Sequence, residues 1–237
     1  MADDSGPPRR DPPRPRSGSG PDSGTGSDSG PGSGPDPRPH PRPRVPRYVR
    51  DVLQTLGAVV LVGVLLFALT GIWPPMVAVE SPSMEPHIDT GDMVVVSDVN
   101  RYVAAAADEN GIVTQARSDG YTRFSEGGDV VVFMPPDRRG LSSPIIHRVR
   151  FHVEAGENWY DRANPDFVGA GVDGCAELAN CPAPHAGYVT KGDNNARYDQ
   201  VGVDPIAPPV RAEWVRAKAQ VRVPLLGWIR LLLAGKV

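Results

Sequence analysis

The sequence predicts a mainly β protein: an antiparallel β domain on a single N-terminal transmembrane helix, preceded by a disordered tail. Three observations carry this. Residues 1–47 hold almost no apolar side chains, residues 56–73 carry no charge, and beyond residue 75 short β-branched runs alternate with Gly, Pro and Asp. A length of 237 residues allows one or two domains.

The tail, residues 1–47, is dominated by Pro, Gly, Ser, Asp and Arg. Such a segment cannot bury enough surface to offset its ordering entropy. Its P-R-P-H-P-R-P-R run at 37–44 reads as a solvated linker rather than a docking motif.

The composition then changes abruptly. Leu56 to Trp73 reads L-G-A-V-V-L-V-G-V-L-L-F-A-L-T-G-I-W, 18 residues without a charge. At about 1.5 Å per residue this is roughly 27 Å, close to the hydrocarbon thickness of a bilayer. A core helix would show a polar face, and this one shows none. A cleaved leader would have a shorter apolar run and a shorter preceding region. Arg38, Arg42, Arg44, Arg47 and Arg50 precede the run, and the twenty residues after Trp73 contain no Lys or Arg. The positive-inside rule then gives a cytoplasmic tail at 1–47, a span at 52–73 and an extracytoplasmic domain at 74–237.

Pro74 and Pro75 end the helix. The runs at 92–97, 129–133, 145–153 and 219–223 read as strands by β-branched content and period-two stretches. Long loops are expected at 100–127 and 155–186. The apolar tail L-L-G-W-I-R-L-L-L-A at 225–234 is too short for a second span and reads as a final strand or an interface-resting segment.

Charge narrows the function. The net charge is -3; residues 1–50 carry nine Arg and six Asp, and the rest carries 16 Lys+Arg against 22 Asp+Glu. A net charge of -3 argues against a nucleic-acid partner, which would show a basic domain. The two cysteines, Cys175 and Cys181, lack zinc spacing, and outside the cytoplasm they suit a small disulfide loop.

Three motifs offer chemistry. E-S-P-S-M-E-P-H-I-D-T-G-D at 80–92 places Ser81 and Ser83 in a Pro-rich stretch close to the membrane. P-I-I-H-R-V-R at 144–150 puts His147 in a strand-like run, and T-K-G-D-N-N-A-R-Y-D at 190–199 supplies Asp193 and Asp199. Each alone has a bland reading as a turn serine, a packed histidine or an Asx-rich turn. Together they supply a nucleophile, a base and a base-orienting carboxylate, as serine acyl transfer requires.

In this order the motifs resemble the signal peptidase I family in its archaeal and endoplasmic-reticulum type. That family pairs S-x-S-M-E-P and a later G-D with I-x-H-R-V and then T-K-G-D-N-N ending in Asp. V-R-V-P-L-L-G-W-I at 221–229 resembles the family's stretch after the last motif. The long loops and Trp73-Pro74-Pro75 look most like haloarchaeal members. The resemblance covers about residues 50–232.

It implies an antiparallel signal-peptidase-like β fold with Ser83 as nucleophile and His147 as general base, where bacterial relatives carry lysine. It also implies Asp199 as the acid of the triad and Asp193 as a second important acid. Ser81 matches the hydroxyl that assists an oxyanion hole with the Ser83 backbone N–H, although Pro82 stands where the family often has Gly. Signal-peptide-bearing preproteins, cut after small residues in the A-x-A manner, are the implied substrates. The lipid bilayer and the protein-export translocon are the further partners, and no metal or organic cofactor is implied.

His87, His152 and His185 read as structural or surface residues, and Asp89 and Asp92 as shaping the turn and strand entry. Lys191 is the base of an alternative Ser–Lys dyad, as in bacterial signal peptidases, and one rival is a Ser–Lys self-cleaving repressor-like protease, which shares an S-M…G-D pattern. The other rival is a non-catalytic tethered β domain that binds partner proteins.

Overall fold

The computed structural model describes residues 46–136, 143–233 and 235. Nearly all of the predicted tail at 1–47, including its Pro-Arg run, lies outside them. The elements are α1 (Arg47–Thr70), β1 (Met76–Ala78), β2 (Met93–Ser97), β3 (Thr122–Arg123), β4 (Glu126–Gly127), β5 (Val130–Phe133), β6 (Ile145–Val153), β7 (Gly187–Lys191), β8 (Val215–Val223) and α2 (Gly227–Leu233). One-turn 3-10 segments punctuate the loops, among them Pro82–Met84.

Helix α1 is about 36 Å long at the α-helical rise and has one buried residue, Thr70. It alone among the described residues is long and apolar enough to cross a membrane. It begins after Pro46, before the predicted span of 52–73, and stops at Gly71, whose φ of 74° places it in the left-handed region that suits glycine.

The mainly antiparallel prediction holds. Six strands form one sheet in the order β1-β2-β8-β5-β6-β7, and β3-β4 form a small separate pair. Alternation on β5 drives the packing, because successive side chains leave opposite faces. Val130 and Val132 join Val94, Val96, Ala217 and Ala219 in one core. Val131 and Phe133 join Val149, Tyr188 and Trp214 in another.

The serine segment is anchored in the first core. Met84 and Ile88 are both fully buried there beside Val79. Burying each side chain stabilises by about 1.5–3 kcal/mol, which fixes the turn carrying Ser83. At the far end of this segment Asp92 accepts from the Asp89 and Leu225 backbone N–H groups at 3.1 Å each. Asp92 therefore ties the entry of β2 to the chain leaving β8, and the exposed Asp89 pairs with Arg222 at 3.1 Å.

Thr190 and Lys191 end strand β7, and residues 192–195 form the Asx-rich turn that follows it, closed by Asn195 N–H donating to the Gly192 carbonyl at 3.0 Å. Two readings change. The apolar tail is the helix α2 rather than a strand, because its Leu-rich run lacks period-two alternation. The last strand starts earlier than 219, at Val215.

The loop at 155–186 builds its own core. Trp159 is fully buried among Phe151, Val168, Leu178, Val189 and Tyr198, and its indole N–H donates to the Asn180 carbonyl at 2.7 Å. Cys175 and Cys181 are joined by a disulfide with Cα atoms 5.0 Å apart. Closing a loop this short stabilises by roughly 2 kcal/mol on the chain-entropy account. Replacing both cysteines with serine should lower the unfolding free energy by about that amount in denaturant titrations. Unchanged stability would contradict the bridge's role.

Candidate active site

His147 lies on β6, opposite Val131 of β5. Its valine- and isoleucine-rich strand is buried by neighbours on both sides, leaving the imidazole 4 % exposed. The Nδ1 atom is 2.7 Å from Asp199 Oδ2. The same carboxylate oxygen accepts from the Thr190 hydroxyl at 2.7 Å. Backbone bonds hold Asp199 in place: its N–H donates to the Thr190 carbonyl at 2.9 Å, and its carbonyl accepts from Ala207. A carboxylate on Nδ1 favours the tautomer with its proton there and leaves Nε2 free to accept one.

Asp193 is elsewhere. Arg148 grips it bidentately, Nε to Oδ1 at 2.8 Å and Nη2 to Oδ2 at 2.6 Å. Arg150 Nη2 donates to Oδ1 at 3.1 Å, and His87 Nδ1 lies 3.0 Å from Oδ2. Burial alone would raise the Asp193 carboxyl, but hydrogen bonding and charge from Arg148, with the charge of Arg150, hold it below the usual range.

Lys191, the rival base, is 2 % exposed and donates to the Gly192 and Asp193 carbonyls at 3.0 and 3.2 Å. Its ammonium sits 4.4 Å from the centre of the Phe167 ring. Burial, reinforced by the charge of Arg150, lowers its pKa. The remaining histidines serve structure: His152 packs edge-on against Tyr188, and His185 against Trp214.

Ser83 sits in the Pro82–Met84 turn, which packs against β6. Its hydroxyl lies 3.2 Å from that of Ser81, and either can donate. The 192–195 turn clamps the segment from the other side. Asn194 donates from its backbone N–H to the Ser83 carbonyl at 2.9 Å and from its side chain to the Pro82 carbonyl at 3.1 Å. Among the described residues no hydrogen bond joins Ser83 to His147. In ligand-free sites such bonds are often long and tighten only when substrate is bound.

Sequence reasoning missed Arg148, Arg150, Thr190 and Asn194. All four stand inside the quoted motifs, yet nothing local marks an Arg as buried or an Asn as the clamp of a distant serine.

A β domain on one apolar helix, with a serine turn packed on the strand that carries a carboxylate-bound histidine, defines a class: a membrane-anchored candidate serine hydrolase. Residues 50–150 match the family described as Signal peptidase, peptidase S26. The match covers less than half of the chain, and it makes this part similar to a signal-peptidase family. It spans Ser83 and His147, while Asp193 and Asp199 lie beyond it. No curated protein matches the chain.

Two predictions follow from this geometry. A Cβ at Gly192 would lie 2.6 Å from the Ser83 carbonyl oxygen and 2.8 Å from Asn195 Nδ2. Gly192→Ala should therefore displace the serine turn and slow preprotein cleavage about a hundredfold, the cost of an ångström-scale misplacement. Cleavage at the parental rate would show that the turn tolerates the shift. The second concerns pH. Because the Asp193 carboxyl is depressed on folding, its stabilisation is present above the unfolded value of about 3.9 and is lost as pH falls through the folded one. Thermal unfolding should show a steep acid loss of stability that Asp193→Asn flattens. An identical pH dependence in the variant would contradict this.

Proposed function

We propose that this protein is a membrane-bound serine endopeptidase that removes N-terminal signal peptides from exported preproteins, with Ser83 as nucleophile and His147 as general base. The observation that carries the reading is the 2.7 Å bond between His147 and the buried Asp199, on the strand against which the serine turn packs.

In this mechanism His147 Nε2 takes the Ser83 hydroxyl proton as the oxygen attacks the scissile carbonyl. Asp199 holds the ring and stabilises the imidazolium. The Ser83 backbone N–H and the Ser81 hydroxyl stabilise the oxyanion. The imidazolium then protonates the leaving amine, and water, activated by the same imidazole, hydrolyses the acyl-enzyme. Asp193 frames the site without entering the proton transfers. The carbonyl partners of Lys191 argue against a Ser–Lys mechanism.

The substrate is cleaved after small residues at the end of its apolar stretch, as in the A-x-A pattern. The motif resemblance supports the archaeal and endoplasmic-reticulum type. The arginines at 38–50 and their absence from the twenty residues after Trp73 support a cytoplasmic N-terminus, a span within 52–73 and a catalytic domain outside. The translocon that delivers preproteins is a natural neighbour there.

The test uses detergent-solubilised full-length protein and a purified preprotein. Ser83→Ala and His147→Ala should abolish cleavage with folding intact. Asp199→Asn should lower turnover by up to about ten-thousandfold, through the wrong tautomer. Lys191→Met should keep cleavage near the parental rate in folded protein, since the Lys191 ammonium is engaged by the Gly192 and Asp193 carbonyls. Cleavage by Ser83→Ala at the parental rate would leave a non-catalytic binding domain as the better reading.

A further inference from the structure

The end of α1 is closed by side chains that come from far along the chain. An α-helix leaves its last four carbonyls without intrahelical partners. Here the Phe67 carbonyl accepts from Gly71 N–H at 2.7 Å, and Thr70 accepts from Asp98 N–H at 2.8 Å. Arg101 Nη1 donates to Ala68 at 2.7 Å and to Leu69 at 3.2 Å. The Tyr102 hydroxyl donates to Leu69 at 2.8 Å. All four carbonyls are thus satisfied, and a guanidinium charge sits at the negative end of the helix dipole.

The path between these partners matters. From Thr70 the chain runs through β1, the Ser83 turn and β2, and returns at 98–102 to cap the helix it left. Strands β1 and β2 pair along this circuit, with Met76 opposite Val95 and Ala78 opposite Met93. The Val96 N–H also donates to the Pro75 carbonyl at 2.9 Å. Seen this way, the serine turn is the far end of a closed loop whose base is the last turn of the membrane helix. The cap at that base ties the last turn of α1 to the chain that follows β2.

We propose that Arg101 and Tyr102 are positioning residues that set the depth and tilt of the Ser83 site relative to the membrane by closing the C-terminal turn of α1. Neither touches the catalytic groups. The proposal rests on the signal-peptidase reading for its activity readout, and it has a second readout that does not.

The experiment compares wild type, Arg101→Ala with Tyr102→Phe, and Ser83→Ala in proteoliposomes. Two substrates are used: a membrane-inserted preprotein and a short soluble peptide spanning the same cleavage site. The double variant should lose about tenfold or more on the preprotein, where register with the bilayer matters, and stay within about twofold on the peptide. Equal losses on both substrates, or none on either, would overturn the positioning role. Cleavage by Ser83→Ala would instead sink the underlying protease reading. The second readout is a distance distribution between spin labels at Leu61→Cys on α1 and Arg216→Cys on β8, which is clean because no described cysteine is free. It should be narrow in the parent and broad in the double variant. Equally narrow distributions would overturn the proposal whatever the protein's activity.

Discussion

A guanidinium with no exposed surface must have every donor answered from within the protein, and Arg148 is such a group. Two of its nitrogens hold Asp193, and the third donates to the carbonyls of Arg123, Glu126 and Gly128 at 2.8, 3.2 and 3.1 Å. One residue thereby joins β6, the β3-β4 pair and the turn after β7. Removing either partner of such a buried pair costs about 3–5 kcal/mol, because the survivor is left charged and unpaired. The dependence continues outward, since the turn that Asp193 anchors also carries Asn194, the clamp on the serine segment. The site's geometry thus hangs on an ion pair that takes no part in the proposed chemistry.

The two aspartates of one motif illustrate how environment divides labour. Asp193 is saturated by cations and locked in its ionised form. Asp199 accepts a hydroxyl and an imidazole on one oxygen, and its other oxygen is buried with no hydrogen-bond partner among the described residues. A carboxylate held this sparingly interacts strongly with a charge developing on its neighbour, since a low local dielectric amplifies the pair. That suits a group whose work is to stabilise a transient imidazolium.

Much of the fold was legible in the sequence, for identifiable reasons. The valine-rich runs of β2, β5 and β6 announce themselves because β-branched residues suit a pleated, buried surface. The helix α1 does so because 18 consecutive uncharged residues run longer than an ordinary strand. Strand β7 was hidden because its Thr190 and Lys191 are polar, and their burial depends on Asp199, Gln200 and backbone carbonyls supplied by tertiary structure. For α2 the strand alternative fails, because a short apolar run carries no decisive period. Within the site, the motifs marked Ser83, His147 and both acids as candidates. Which acid meets the histidine is a fact of three-dimensional pairing. Arg148 stayed silent for a related reason: an arginine in sequence looks solvated until its partners are known.

The central claim is that Asp199 sets the tautomer of His147 while Asp193 does not. Nitrogen NMR of the His147 ring, in detergent-solubilised wild type, Asp199→Asn and Asp193→Asn at neutral pH, tests it directly. The account predicts a protonated Nδ1 and a free Nε2 in wild type and in any folded Asp193→Asn protein, with that preference lost in Asp199→Asn. A wild-type ring protonated at Nε2, or a tautomer untouched by Asp199→Asn but reversed by Asp193→Asn, would contradict it.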